Sequence, residues 1–228
     1  MGSRGAARAW HAVTFAVGAF AVVLQFVLVL RGHQHLGDTE PGIAAAGQPD
    51  LGTRVVRFAG YLTIWSNVLG TAIAATLMVD PDRDGRVWRP LRLDAVVILF
   101  GGGVVHWFFL RPLLDLHGAD LLADKLLHIV VPALVAVGWL AFGPRARITA
   151  ADLGWFLVLP GIWLAYTLIR GAVVGWYPYP FVDVDLHGYG YVSLSSLGVT
   201  ALLIILAVAC RLLDPHLPGR RAAAAAGV

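Results

Sequence analysis

Six apolar runs, each about twenty residues long and nearly free of charge, decide what this chain can fold into. A helix rises about 1.5 Å per residue, so roughly twenty such residues cross a hydrocarbon core of about 30 Å. The runs fall at 10–30, 55–79, 93–111, 122–142, 152–174 and 190–213, with ends good to about 2–4 residues. Of 228 residues, 58% are hydrophobic and 14% charged, against about 25% charged in an average soluble domain. The expected fold class is therefore all-α: a polytopic membrane bundle of six transmembrane helices. One domain suffices, spanning 1–228, with its core at about 10–213 and a disordered tail over 214–228. The first run exceeds the roughly 7–15 residues of a signal-peptide core and reads as a retained helix.

Charge sets the expected orientation. Eleven of the seventeen basic residues lie at the N-terminus (Arg4, Arg8), the second connector (Arg83, Arg86, Arg89, Arg92), the fourth connector (Arg145, Arg147) and the C-terminus (Arg211, Arg220, Arg221). The other six are Arg31, Arg54, Arg57, Arg111, Lys125 and Arg170. The positive-inside rule then puts both termini in the cytoplasm. Sixteen of the seventeen are arginine, amid abundant Ala, Gly and Val. That bias fits a GC-rich bacterial genome, so the expected location is a bacterial inner membrane. The same scatter argues against a nucleic-acid partner, which needs a clustered basic surface. The first connector, about 31–53, is expected to lie over the outer face or be partly disordered. The single cysteine, Cys210, rules out an intrachain disulfide and a cysteine-based metal site.

Polar side chains inside the runs are the candidates for function, because polar groups at membrane depth are costly and tend to face a protein interior. Span two carries Tyr61-Leu62-Thr63-Ile64-Trp65-Ser66-Asn67, and span four carries Leu126-Leu127-His128-Ile129-Val130-Val131-Pro132. Both spans start from the same side, which puts Thr63 about 12 Å and His128 about 9 Å below the surface. His106, near the same end of span three, shares that level. Thr63 and Asn67, at i and i+4, occupy one helix face with Ser66 beside them. Two readings stay open here. Thr63, Ser66 and Asn67 can simply bond helix carbonyls or pack between helices, or Thr63 can serve as a nucleophile with His128 as its base. Ser66, Asn67 or a backbone amide would then stabilise an oxyanion. Pro132 removes the donor that would bond the His128 carbonyl, so a kink and a pocket are expected beside the imidazole.

The fifth connector, Trp176-Tyr177-Pro178-Tyr179-Pro180-Phe181-Val182-Asp183-Val184-Asp185-Leu186-His187, is stiff and aromatic. It reads as an interfacial belt or as a lid bringing Tyr177, Tyr179 and Asp183 to a substrate. Asp183 or Asp185 folding inward would orient His128, since no other buried carboxylate stands out. Asp183, Asp185 and His187 form only a weak metal signal, and turn or cap roles suit the aspartates better. No metal or other cofactor is expected.

The three phrases, in this order, resemble the androgen-induced integral membrane protein family, and particularly its bacterial relatives. The likeness covers the six-span core, about 10–213. Animal members are multi-pass hydrolases of fatty acid esters of hydroxy fatty acids, with a threonine nucleophile and a histidine in the membrane. The resemblance implies those roles for Thr63 and His128, and a lipid ester as substrate. Trp65, the Pro-Tyr-Pro segment and His106 are closer to the bacterial branch. Two other functions remain in view. One is a non-catalytic lipid-binding or transport protein holding a headgroup at the polar cluster. The other is an electron carrier with haem between His106 and His128.

Overall fold

The computed structural model describes residues 4–33, 49–145 and 147–217. Most of the first connector and residues 218–228, with Arg220 and Arg221, lie outside them. No strand occurs among the described residues, and six helical segments are long and apolar enough to cross a membrane. These are α1 (Arg4–Leu30), α3 (Leu62–Val79), α4 (Trp88–Val105) with the turns that extend it to Leu113, α5–α6 (Gly118–Phe142), α7–α8 (Ala150–Val174) and α9 (Val184–Leu213) with the turn that extends it to His216. Most begin several residues before the apolar runs do. Helical geometry outlasts hydrophobicity at the ends, where polar residues cap it: Thr149 forms a capping box with Asp152, and Asp183 accepts the amide of Leu186. At the start of the tail expected to be disordered, Asp214–His216 instead form a helical turn with Asp214 buried, and 218–228 lie outside the described residues.

The second run departs from expectation in a way that matters. It is not one helix but two, α2 (Leu51–Gly60) and α3, broken at Tyr61, whose backbone is extended at φ −78°, ψ 129°. A break exposes the last carbonyls of the first helix, which a membrane interior cannot leave unpaired. Two indoles take them: Trp65 Nε1 donates to Ala59 O at 2.7 Å, and Trp163 Nε1 donates to Gly60 O at 2.8 Å. The break therefore starts a new helix one residue before Thr63.

Small residues let the helices approach closely, as is usual where lipid supplies no hydrophobic drive between them. A Cβ at Gly18 would overlap Thr71, and one at Gly70 would come within 2.6 Å of Leu99. The two ends of the bundle differ in chemistry. At one end Arg4 pairs with Asp82 at 2.7 Å, Arg147 with Asp84 at 3.3 Å, and the buried Arg145 with the buried Asp214 at 3.3 Å. Arg92 donates to the carbonyls of Gly143 and Pro144 there. Thus the starts and ends of the described chain share one end with the second and fourth connectors. At the other end His33 meets Asp120 at 2.7 Å, and Arg57 and Arg170 lie over the Trp176 ring. The polar cluster sits near this second end.

Candidate functional site

Two helices widen locally where they carry histidine. The α4 helix passes into a π-helical turn at His106–Leu110, and α5 passes into another at Leu126–Val130 before α6 resumes at Val131. Such turns are rare and concentrate at functional sites. In the second, Pro132 supplies no amide for the carbonyl of His128, as its position predicts. That carbonyl instead packs on α4, where a Cβ at Gly103 would lie 2.8 Å from it. The close approach stacks the rings of His106 and His128 face to face, with centroids 3.6 Å apart and planes 3° apart.

The stacked pair shares one carboxylate. Asp124 Oδ1 lies 2.9 Å from His106 Nε2 and 3.0 Å from His128 Nδ1. The first approach is close without being a directed hydrogen bond, since His106 Nε2 has no well-aligned acceptor. His128 Nδ1 also lies 3.1 Å from the backbone oxygen of Asp124. Two acceptors beside Nδ1 assign the proton to that nitrogen and leave Nε2 as the acceptor. Nε2 faces Thr63 Oγ1 at 3.3 Å. A hydroxyl, an imidazole and a carboxylate are thus aligned in series, which is the arrangement that lets a hydroxyl pass its proton to a ring nitrogen.

Tyr179 completes the constellation. The chain leaves α8 through a left-handed Gly175 and folds back, burying Trp176, Tyr177 and Tyr179 against the broken span. The Tyr179 hydroxyl accepts the Thr63 amide at 3.2 Å and lies 3.1 Å from Thr63 Oγ1. Thr63 stands in the first turn of α3, at the positive end of the helix, where its amide and that of Leu62 turn to the Tyr179 hydroxyl and those of Ile64 and Trp65 reach Tyr61 O. Burial raises the Tyr179 phenol above its ordinary value, opposed by its bonds to Thr63 and the Leu62 amide. It therefore remains an O–H donor. A developing oxyanion beside Thr63 would meet this hydroxyl, within the positive field of the helix N-terminus.

The other sequence candidates fall elsewhere. Ser66 Oγ donates to Thr63 O at 3.1 Å, and Asn67 Nδ2 donates to Thr63 O at 2.8 Å and Leu127 O at 3.2 Å. Both brace the backbone behind Thr63 and tie α3 to span four, so neither donor faces the hydroxyl. Tyr177 packs on Gly171, whose added Cβ would overlap its ring. Asp183 caps α9, and Asp185 is exposed. The inward-folding role envisaged for these two belongs to Asp124, four residues before His128 on the same helix. The Asp-x-x-x-His spacing inside an apolar run was the signal for it.

Among the described residues, His106, Asp124 and His128 are a trio with donor atoms within 4.8 Å of one another. Parallel ring planes suit them poorly to one ion. A nitrogen lone pair lies in its ring plane, and two stacked planes do not converge on a shared metal. The stack also leaves no gap for a porphyrin between the rings, as axial haem ligation by this pair would require.

Two cavities meet at Thr63 and His128. One, of about 100 Å³, opens past Asp120, Asp124 and Gln25; the other, of about 70 Å³, is lined by Gly101, Gly102, Gly103 and Asn67. No family model, curated protein or solved structure matches the chain.

Proposed function

We propose that the protein is an intramembrane lipid-ester hydrolase with Thr63 as nucleophile, His128 as general base and Asp124 as the group that orients His128. The observation that carries this reading is the 3.3 Å approach of Thr63 Oγ1 to His128 Nε2, with Nδ1 held on the opposite side by Asp124. Three further features support it. The pair borders two cavities, a helix N-terminus and a buried phenol stand beside the hydroxyl, and the ordered motifs resemble a family of lipid-ester hydrolases.

In the first step Thr63 Oγ bonds to the ester carbonyl carbon as its proton passes to His128 Nε2. The carbonyl oxygen becomes the oxyanion, held by the Tyr179 hydroxyl in the positive field of the α3 N-terminus. Collapse breaks the bond to the alcohol oxygen, which takes the proton from His128 and leaves. Water then attacks the acyl-threonine and gives a proton to His128. The second collapse frees the fatty acid and returns the proton to Thr63. His106 touches neither Thr63 nor the reacting oxygen, and acts by fixing the plane of His128 and the place of Asp124. The site faces the outer side of a bacterial inner membrane in this reading, with the arginine-rich end in the cytoplasm.

The test is purified protein in lipid nanodiscs with long-chain acyl esters and a fluorophosphonate probe. Wild type hydrolyses the ester and is labelled on Thr63, whereas Thr63→Ala and His128→Ala remain folded and lose both. Full labelling and turnover by Thr63→Ala would overturn the mechanism.

A further inference from the structure

We propose that the substrate is a single-chain acyl ester of a neutral polar alcohol, and that its acyl chain enters sideways from the bilayer between α4 and α9. This builds on the hydrolase reading and adds a route and a substrate class to it.

A third cavity, of about 500 Å³, lies between the π-helical turn of α4 and the middle of α9, a size within the roughly 300–1,000 Å³ of small-molecule sites. Its walls are almost entirely hydrocarbon. The hydroxyl of Ser195 is already committed, donating toward Phe181 O at 2.5 Å and Val192 O at 3.0 Å. Around it Phe108 and Phe109 on α4 and Tyr191, Leu194 and Leu197 on α9 are exposed, as lipid-facing residues would be. Apart from the Tyr191 phenol, a cleft with such walls offers a headgroup no side-chain partner, and it gives an acyl chain a largely apolar surface.

The cleft leads to the chemistry. Val105, Leu110, Phe181 and Val199 line both it and the 70 Å³ chamber that reaches Thr63, His128 and Tyr179. Three consecutive glycines line the chamber, two of them closely packed and one open. A Cβ at Gly101 would come within 3.0 Å of Leu203, one at Gly103 within 2.8 Å of the His128 carbonyl, and none would meet an atom at Gly102. This stretch of α4 beside the threonine has open space at Gly102 and no polar side chain of its own.

Across Thr63 the surroundings change sign. The 100 Å³ cavity carries Gln25, Asp120 and Asp124. Asp120 is matched by His33 at 2.7 Å, and Asp124 by the two imidazoles and by Arg111 at 3.9 Å. Each carboxylate already has its partner, so the cavity offers no unmatched charge to an ionic alcohol of either sign. A neutral hydroxylated leaving group such as glycerol fits. An ester spanning the two cavities would place its apolar half toward α9 and its polar half toward Asp120, with the scissile bond at Thr63.

The experiment compares Val199→Phe, Val199→Ala and wild type in nanodiscs on butanoyl and dodecanoyl monoesters of glycerol and on a dodecanoyl ester of a hydroxy fatty acid. Narrowing at Val199 lowers the dodecanoyl-to-butanoyl ratio of kcat/KM about tenfold or more, and Val199→Ala raises it. Gly198→Phe, at a cleft position where an added Cβ meets nothing, repeats the narrowing with less risk to folding. Wild type favours the glycerol ester over the anionic one. In parallel, a fatty acid bearing a diazirine is photo-crosslinked to Thr63→Ala protein and the adducts are mapped, with adducts expected on Phe181, Val199 or Leu202. Equal losses for both chain lengths, preference for the anionic ester, or adducts away from the cleft would each overturn the inference while leaving the hydrolase reading intact. Adducts in the cleft without ester turnover by wild type support the acyl site and overturn the hydrolase reading instead.

Discussion

Asp124 and His128 stand one turn apart on the fourth span, with Oδ1 of the carboxylate 3.0 Å from Nδ1 of the ring. The same oxygen lies 2.9 Å from His106 Nε2, so one carboxylate holds both members of a stacked histidine pair. Its effect on chemistry is to keep the proton on Nδ1 and the lone pair of Nε2 aimed at Thr63.

Asp124→Asn tests that role. An amide can present a donor to Nδ1, which favours the tautomer with its proton on Nε2, the wrong one for accepting from Thr63. The expected result is a fall of about 10²–10⁴-fold in kcat with KM little changed. Steady-state kinetics with a thermal-unfolding control checks it. An unaltered kcat in a folded variant would remove Asp124 from the mechanism.

Tyr179→Phe removes the hydroxyl that lies 3.1 Å from Thr63 Oγ1. Loss of one oxyanion donor typically costs about 10²–10³-fold in kcat. The positive field of the α3 N-terminus remains, so the variant should retain measurable turnover. A change confined to KM would instead make Tyr179 a binding residue.

Burial raises the Tyr179 phenol above its ordinary value, about 10 in model peptides. A raised folded value means the neutral form is preserved: its contribution is complete below about pH 10 and fades only as pH climbs through the higher folded value. The alkaline limb of kcat should therefore show no Tyr179-linked fall below about pH 10. Ultraviolet titration of phenolate checks this, with Tyr179→Phe expected to lose a component that ionises above that pH. A component lost below it would contradict the donor role.

How much of this was legible depended on whether the decisive partner lay within the same short stretch of chain. Thr63 and His128 could be singled out because a polar side chain inside a twenty-residue apolar run has few places to go. Asp124 was also within reach: it falls inside the run read at 122–142, but so near its edge that a charge there passes for one at headgroup level. The break at Tyr61 was not legible. Only Gly60 hints at it locally, and the indole that donates to its stray carbonyl comes from Trp163, about a hundred residues on. Tyr179 depended on the same unseen packing, since a belt and an inward fold share one aromatic composition.

At the far end of the bundle Arg145 and Asp214 form a buried pair at 3.3 Å, and Arg145 Nη2 also donates to Leu140 O at 2.7 Å. Arg145→Met leaves the Asp214 carboxylate buried without its cation. Breaking such a pair typically costs about 3–5 kcal/mol. Thermal unfolding in detergent should show that loss, and a second change, Asp214→Asn, should recover part of it. The site lies at the opposite end, so KM for an ester stays as in wild type where the variant is folded.

Gly103→Ala is the sharpest test of the backbone arrangement, because it touches no catalytic side chain. The added methyl would lie 2.8 Å from the His128 carbonyl oxygen, closer than a carbon and an oxygen can pack, and both walls are helix backbone. Either α4 moves away from the π-helical turn or the turn itself shifts. Each response separates the two imidazoles and moves Nε2 relative to Thr63. Overpacking of this kind costs about 1–3 kcal/mol, and a displacement of about 1 Å can cost 10²-fold in rate. The expected variant is folded, somewhat less stable and about a hundredfold slower. Gly102→Ala is its control: the neighbouring methyl meets no atom within 4 Å, so the helix propensity gained should leave stability equal or higher. Equal stability and activity in Gly103→Ala and wild type would mean that the helices do not approach as closely as the stacked histidines require.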